Sequence, residues 1–212
     1  LSYFLKKENK MNEGYVKFQC NWVREEISVP EYLFSSLSSA RSQLYELGLI
    51  GMYPDGIGYG NISVKTAADE FLITGSATGQ FLSLEARHYA LVNAYNFREN
   101  IISCCGSTKA SAESMTHAAV YEAIPEVGAV VHVHHLHLWE KLINFYPTTP
   151  ETIEYGTPEM AESVRFLAQQ LRFESGKVII MGGHREGILS FGKSLEEATE
   201  QIIKIYNHYQ ND

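Results

Sequence analysis

Short β-branched runs alternate with amphipathic helical stretches along this chain, yet several of the runs are joined by links too brief to hold a helix. A parallel crossover needs about a dozen residues or more, so short links force neighbouring strands to run antiparallel. After the turn signal Pro54-Asp55-Gly56, the runs Ile62-Ser63-Val64-Lys65 and Phe71-Leu72-Ile73-Thr74 read as a hairpin across the turn near Ala68-Asp69. Gly128 to His134, Val178 to Met181 and Ile188 to Phe191 are short, apolar and β-branched, which suits buried strands. Leu33, Phe34, Leu37, Leu44 and Leu47 predict a first helix between Pro30 and a capping Gly48. Ser111 is placed to cap a helix over Ala112 to Ile124. Thr157-Pro158 opens another, lasting until near Arg172, and Ser194 with Glu197 has capping-box spacing ahead of a last helix ending near Tyr209. The predicted class is α/β, with helices on both faces of a mixed or largely antiparallel sheet.

A length of 212 residues allows one sizeable core, so residues 30–212 are read as a single domain and residues 1–29 as an N-terminal extension partly outside it. Met11 is a candidate natural start, which would make Leu1 to Lys10 an upstream extension; no secretory signal is evident there. Seventeen basic against 25 acidic residues give a net charge of −8 without a local basic stripe, which argues against a nucleic-acid partner. The longest apolar runs fall far short of the roughly 20 residues that cross a bilayer. Cys20, Cys104 and Cys105 have neither an even count nor a metal-type spacing, and they suit a reducing cytoplasm.

His132 and His134 lie two apart on a predicted strand, so both side chains project from one face and can grip one ion. A third histidine, His184, follows another apolar strand in the setting Gly182-Gly183-His184. A pair plus a distant third is how three-histidine zinc sites are built, and three protein ligands leave a position open for substrate. The plainer reading of the pair is two partly exposed strand histidines with satisfied hydrogen bonds. A metal that polarises a carbonyl needs a base for the neighbouring carbon-bound proton, and Glu113, at the start of the preceding helix, is the candidate. Against this, Glu113 in a first helical turn would also favour the helix dipole, and His117 is spaced to pair with it structurally. Gly58 to Ser63 and Thr74 to Gly79 are loops rich in glycine and small hydroxyls, able to present N–H groups to an anion or merely to turn tightly.

In order along the chain, these segments resemble the class II aldolase and adducin family from about Leu33 to Tyr209. Gly60-Asn61-Ile62-Ser63, Ile73 to Gly79, Ala110-Ser111-Ala112-Glu113 and Ala129-Val130-Val131-His132-Val133-His134 carry the resemblance, together with Met181 to Leu189 and the following Phe191 to Ala198. The resemblance implies a three-layer α/β/α sandwich around a largely antiparallel sheet, assembled as a cyclic homotetramer with sites between subunits. It implies Zn2+ on His132, His134 and His184, with Mn2+ or Co2+ as substitutes, and Glu113 as the acid/base. Asn61, Thr78, Gly79 and Ser111 would cradle a substrate phosphate, and a neighbour's Tyr206 or Tyr209 would assist.

The implied reaction is reversible cleavage of a ketose, or of a ketose 1-phosphate, through a metal-stabilised enediolate. Epimerisation or dehydration of a sugar phosphate is the alternative within the family; a non-catalytic interaction module like the adducin head is the alternative outside enzymes. Three departures are notable. His184 is followed by Arg185-Glu186 before Gly187, which offers either side chain to a substrate. Ala112 stands where a phosphate-binding serine is common, and extra residues separate Thr74 from Thr78, so a non-phosphorylated sugar is a further option. Related epimerases carry Asp where this chain has Glu113, which favours aldol chemistry.

Overall fold

The computed structural model describes residues 17–143, 145–171 and 177–210. The segment Leu1 to Lys10 and the candidate start at Met11 lie outside the described residues. Among the described residues, ten strands and five α-helices follow one another along the chain. They are β1 (Gln19–Arg24), α1 (Glu31–Glu46), β2 (Gly51–Met52), β3 (Gly58–Tyr59), β4 (Asn61–Ala67), β5 (Glu70–Thr74), β6 (Tyr89–Asn96) and β7 (Ile101–Gly106). Then come α2 (Ser114–Ala123), β8 (Ala129–His134), α3 (Leu136–Leu142), α4 (Pro158–Gln170), β9 (Lys177–Ile180), β10 (Gly187–Gly192) and α5 (Leu195–Tyr209). Eight strands form the main sheet in the order β1-β7-β6-β5-β4-β8-β10-β9, and β2 pairs with β3 in a small separate ladder. Among the described strand pairs of the main sheet, only β1–β7 is parallel. The short links therefore had the consequence expected of them.

Period-two alternation divides the apolar residues of the sheet between two cores. Phe71, Ile73, Val130, Ile179, Leu189 and Phe191 point to the face covered by α2 and α4, beside Met115, Ala118, Val164 and Ala168. Their neighbours Leu72, Val131, Val133, Ile180 and Ile188 point to the other face, beneath α1, α3 and α5, beside Leu37, Leu44, Leu138 and Ile202. The result is three layers, α/β/α. On β8 the alternation carries His132 and His134 to the same side as Val130.

Most predicted elements are present within a residue or two, and the differences are informative. The helix α2 starts at Ser114, with Glu113 at its N-cap position, two residues later than a cap at Ser111 would place it. Glu113 is thus held at the mouth of the helix and not within its first turn. His117 does not pair with Glu113: its Nδ1 lies 2.7 Å from Ser63 Oγ, which is itself 2.7 Å from Tyr121 Oη. The capping box of α5 is half formed as drawn, because Ser194 Oγ accepts from Glu197 N while the Glu197 carboxylate accepts from Lys193 N. α4 begins at Pro158 with Thr157 as its cap and ends at Gln170; Arg172 lies outside the described residues. The β6–β7 hairpin, β1 and α3 were not anticipated. Among the described residues no helix is long and apolar enough to cross a membrane.

The Ser63–His117–Tyr121 cluster ties β4 to α2 inside the core, and full burial pushes the His117 pKa down from 6.5 to about 3. A neutral histidine buried in this way favours the native state above its unfolded pKa, and that advantage is lost as pH falls from about 6.5 toward the native value. His132 and His134 are pushed the same way by burial. In metal-free protein the unfolding free energy should fall below about pH 6.5, with a slope approaching 1.4 kcal/mol per pH unit for each such histidine. Urea titrations at several pH values check this; equal stability at pH 7.5 and 5 would refute it.

Candidate active site

The register of β8 is fixed from both sides. Asn61 on β4 lies opposite His132, and Gly187 on β10 lies opposite His134. His184 stands in the tight turn between β9 and β10, where His184 N donates to Met181 O and Gly187 N to His184 O. Gly183 precedes it because a Cβ there would collide with the Ile153 carbonyl. That close approach brings Tyr155 onto His184, with ring centroids 4.5 Å apart and nearly parallel planes. His132, His134 and His184 are 1–3% exposed, and their ring centroids are 4.7 to 5.1 Å apart. One nitrogen from each lies within 4.8 Å of the others, so the three form a cluster that could hold a metal ion.

Burial, and then the neighbouring imidazoles, holds His132 and His134 well below the usual histidine pKa, so both stay neutral and keep a lone pair. Nδ1 of His134 lies 3.1 Å from Tyr53 Oη, whose proton is donated to Glu186 Oε2 at 2.6 Å. Nδ1 of His132 lies 3.3 Å from the Asn61 amide. Nε2 of His132 is buried without a hydrogen-bond partner. As placed, Asn61 turns its Nδ2 to His132 and leaves its Oδ1 without a partner; with the amide turned about, Oδ1 would accept from Nδ1 and His132 Nε2 would be free for a metal. Three imidazoles with no thiolate are a donor set that suits zinc or another first-row divalent ion. The site therefore fits a divalent metal.

Glu113 is 3% exposed and sits beside the cluster, with Oε1 3.7 Å from His184 Nδ1. Thr116 Oγ1 donates to its other oxygen at 2.7 Å. Asn61, Thr78, Gly79, Ser111, Glu113, His132, His134 and His184 all line one small cavity of about 50 Å³. Within it, the Asn61 amide is engaged with His132, the Thr78 hydroxyl donates to Gly75 O, and Ser111 Oγ accepts from Glu113 N at 3.4 Å. The Gly79 turn can only be glycine, since a Cβ would collide with the Gly51 carbonyl. His135 and His137 are not members of the cluster; His135 caps α3 by accepting from Leu138 N. In its own chain Tyr206 lies against His135, and neither Tyr206 nor Tyr209 lines the cavity.

Sequence reasoning missed Tyr53, Tyr155 and Arg41. The Arg41 guanidinium is buried and donates to the carbonyls of Thr78, Gly79 and Phe81, pinning that loop. A charged residue on the apolar stripe of α1, between Leu37 and Leu44, was the available signal. Glu186, considered as a substrate contact, accepts from Tyr53 Oη. Zinc added at about 100 times its dissociation constant should stabilise the fold by roughly 2.7 kcal/mol. Thermal unfolding with and without the ion measures this; H132A and H134A should abolish the gain, and an unchanged gain would remove those histidines from the site.

Residues 43–209 match the model of the class II aldolase and adducin N-terminal domain. Among solved structures, the fold resembles L-fuculose-1-phosphate aldolase from Thermus thermophilus, at 21% identity and a TM-score of 0.58, over 86% of this chain and 97% of that one. A sugar-phosphate aldolase from Thermotoga maritima is similar at 15% identity and a TM-score of 0.59, covering 82% and 91%. YgbL from Klebsiella pneumoniae matches at 19% identity and a TM-score of 0.62, covering 82% and 85%. At such identities the likeness is one of fold, whereas the domain match spans most of the sequence, and on that match the chain belongs to the class II aldolase and adducin N-terminal domain family.

Proposed function

We propose that the protein is a zinc-dependent aldolase that reversibly cleaves a ketose, or a ketose 1-phosphate, into a three-carbon ketone and an aldehyde. The observation that carries this reading is the meeting of three buried imidazoles and the Glu113 carboxylate at the wall of one cavity. His132, His134 and His184 would hold the ion, which when bound supplies a Lewis acid for a carbonyl and an adjacent hydroxyl oxygen. In the joining direction Glu113 Oε1 takes the carbon-bound proton next to the carbonyl, and in the cleavage direction it returns it. Thr116 binds Oε2, and Oε1 is the oxygen turned to the histidines. Burial keeps water away from that carboxylate and strengthens its interactions with reacting groups.

Ser111, Thr78, Gly79 and Asn61 would receive the hydroxyl or phosphate end of the substrate, since all four line the same cavity. Sugar-phosphate aldolases among the similar structures support a phosphorylated substrate. The reading takes the working form as a cytoplasmic homotetramer, a state that sedimentation can test. Retention of three histidines and Glu113 in one cavity favours an enzyme over an interaction module.

Zinc-loaded protein should release dihydroxyacetone or its phosphate from a panel of ketoses and ketose 1-phosphates. Formation of only epimerised or dehydrated products would overturn the aldolase reading. E113Q should keep its zinc and lose about 10²- to 10⁴-fold in kcat, because an amide cannot accept the proton. Turnover equal to wild type in E113Q would take Glu113 out of the mechanism.

A further inference from the structure

The turn that carries His184 also carries a residue in an unfavourable conformation. Glu186 has a φ of 75°, in the left-handed region that a long side chain adopts only when the surroundings impose it. The turn is closed by Gly187 N donating to His184 O at 2.8 Å, and the Glu186 carbonyl accepts from His135 N at 3.1 Å, just past the end of β8. Held in this way, the Glu186 side chain reaches Tyr53, which precedes the Pro54-Asp55-Gly56 turn between β2 and β3. Tyr53 Oη donates to Glu186 Oε2 at 2.6 Å and lies 3.1 Å from His134 Nδ1.

The two contacts of Tyr53 Oη point to one arrangement of the protons between these side chains. A carboxylate only accepts, so the phenol hydrogen belongs to the Tyr53–Glu186 bond. The Tyr53 oxygen then faces His134 Nδ1 with a lone pair, and the contact is a hydrogen bond only if Nδ1 carries the imidazole hydrogen. A neutral imidazole holds one hydrogen, which leaves Nε2 as the lone-pair nitrogen. We propose that Glu186 and Tyr53 are positioning residues that fix the tautomer and ring orientation of His134, presenting Nε2 to the metal. The inference rests on the metal-site reading above and extends it to two residues with no place in the reaction itself. The strained backbone at Glu186 is explained by the same role, since relaxing the turn would withdraw the carboxylate from Tyr53.

The test has two readouts on the 212-residue chain. In metal-free, 15N-histidine-labelled protein, long-range 1H–15N spectra report the tautomer of each ring. His134 is expected with its hydrogen on Nδ1, and Y53F is expected to lose that preference. In a competition against a chromophoric chelator, Y53F should weaken zinc binding about 10- to 100-fold. E186Q, which keeps the shape but removes the charge, should weaken it by a smaller factor. The double variant should bind no more weakly than Y53F alone, because Glu186 acts through Tyr53.

Melting of the metal-free variants checks folding, and E186Q alone decides the matter if Y53F does not fold. An unchanged His134 tautomer together with unchanged zinc affinity would overturn the inference. Wild-type protein with the expected tautomer and tight zinc but no ketose cleavage would sink the proposed activity and leave this inference standing. Active wild type whose affinity and tautomer ignore both substitutions would sink the inference alone.

Discussion

The register of β8 between β4 and β10 is the constraint on which the rest depends. Both faces of this sheet are covered by helices, so a slip of one residue would drive Val131 and Val133 into the place of the histidines and the histidines under α1 and α5. Apolar packing on both sides makes that slip costly. Because the register is fixed, Asn61 falls opposite His132 and Gly187 opposite His134, and both ends of the cluster are set by backbone pairing before any side chain is considered.

Packing so many polar groups into a dry space creates an electrostatic demand. Three imidazoles and a carboxylate share a volume from which solvent is largely excluded, and His132 has a buried nitrogen with no hydrogen-bond partner. A divalent cation would offset this arrangement, since it would take lone pairs from the rings and balance the carboxylate. Around the cluster the remaining hydrogen bonds are ordered: Thr116 on Glu113, Asn61 on His132, and Tyr53 with Glu186 on His134. Each orients one chemical group and restrains its protonation or direction. The site is better described as a buried polar network whose donors converge on one point than as a set of exposed ligands.

Much of this was legible in the residues. The His-x-His spacing required a shared face, Gly182-Gly183-His184 marked a turn after a strand, and the order of the loops along the chain pointed to one family. The β6–β7 hairpin was less legible because Tyr89 to Asn96 mixes apolar and polar residues without strict alternation, and its strands are distinguished by pairing and not by pattern. The start of α2 was misplaced because Ser111, Ser114 and Glu113 are all residue types suited to a helix start. In the structure Ser114 N donates to Ser111 O in a turn ahead of the helix, the bond from His117 N to Glu113 O opens α2, and Thr116 holds the Glu113 carboxylate.

Sequence alone determined the class of sheet, the two apolar faces and the histidines able to share an ion, because connection length and side-chain periodicity are local properties of the chain. Only the tertiary structure decided that Tyr53 meets Glu186, that Arg41 pins the Thr78 loop, that Tyr155 stacks on His184 and that His117 serves the core. Arg41 and Thr78 are 37 positions apart, and Tyr53 and Glu186 are 133 apart. No local pattern encodes such pairings; they exist because folding brings segments that are distant in sequence into contact around the sheet.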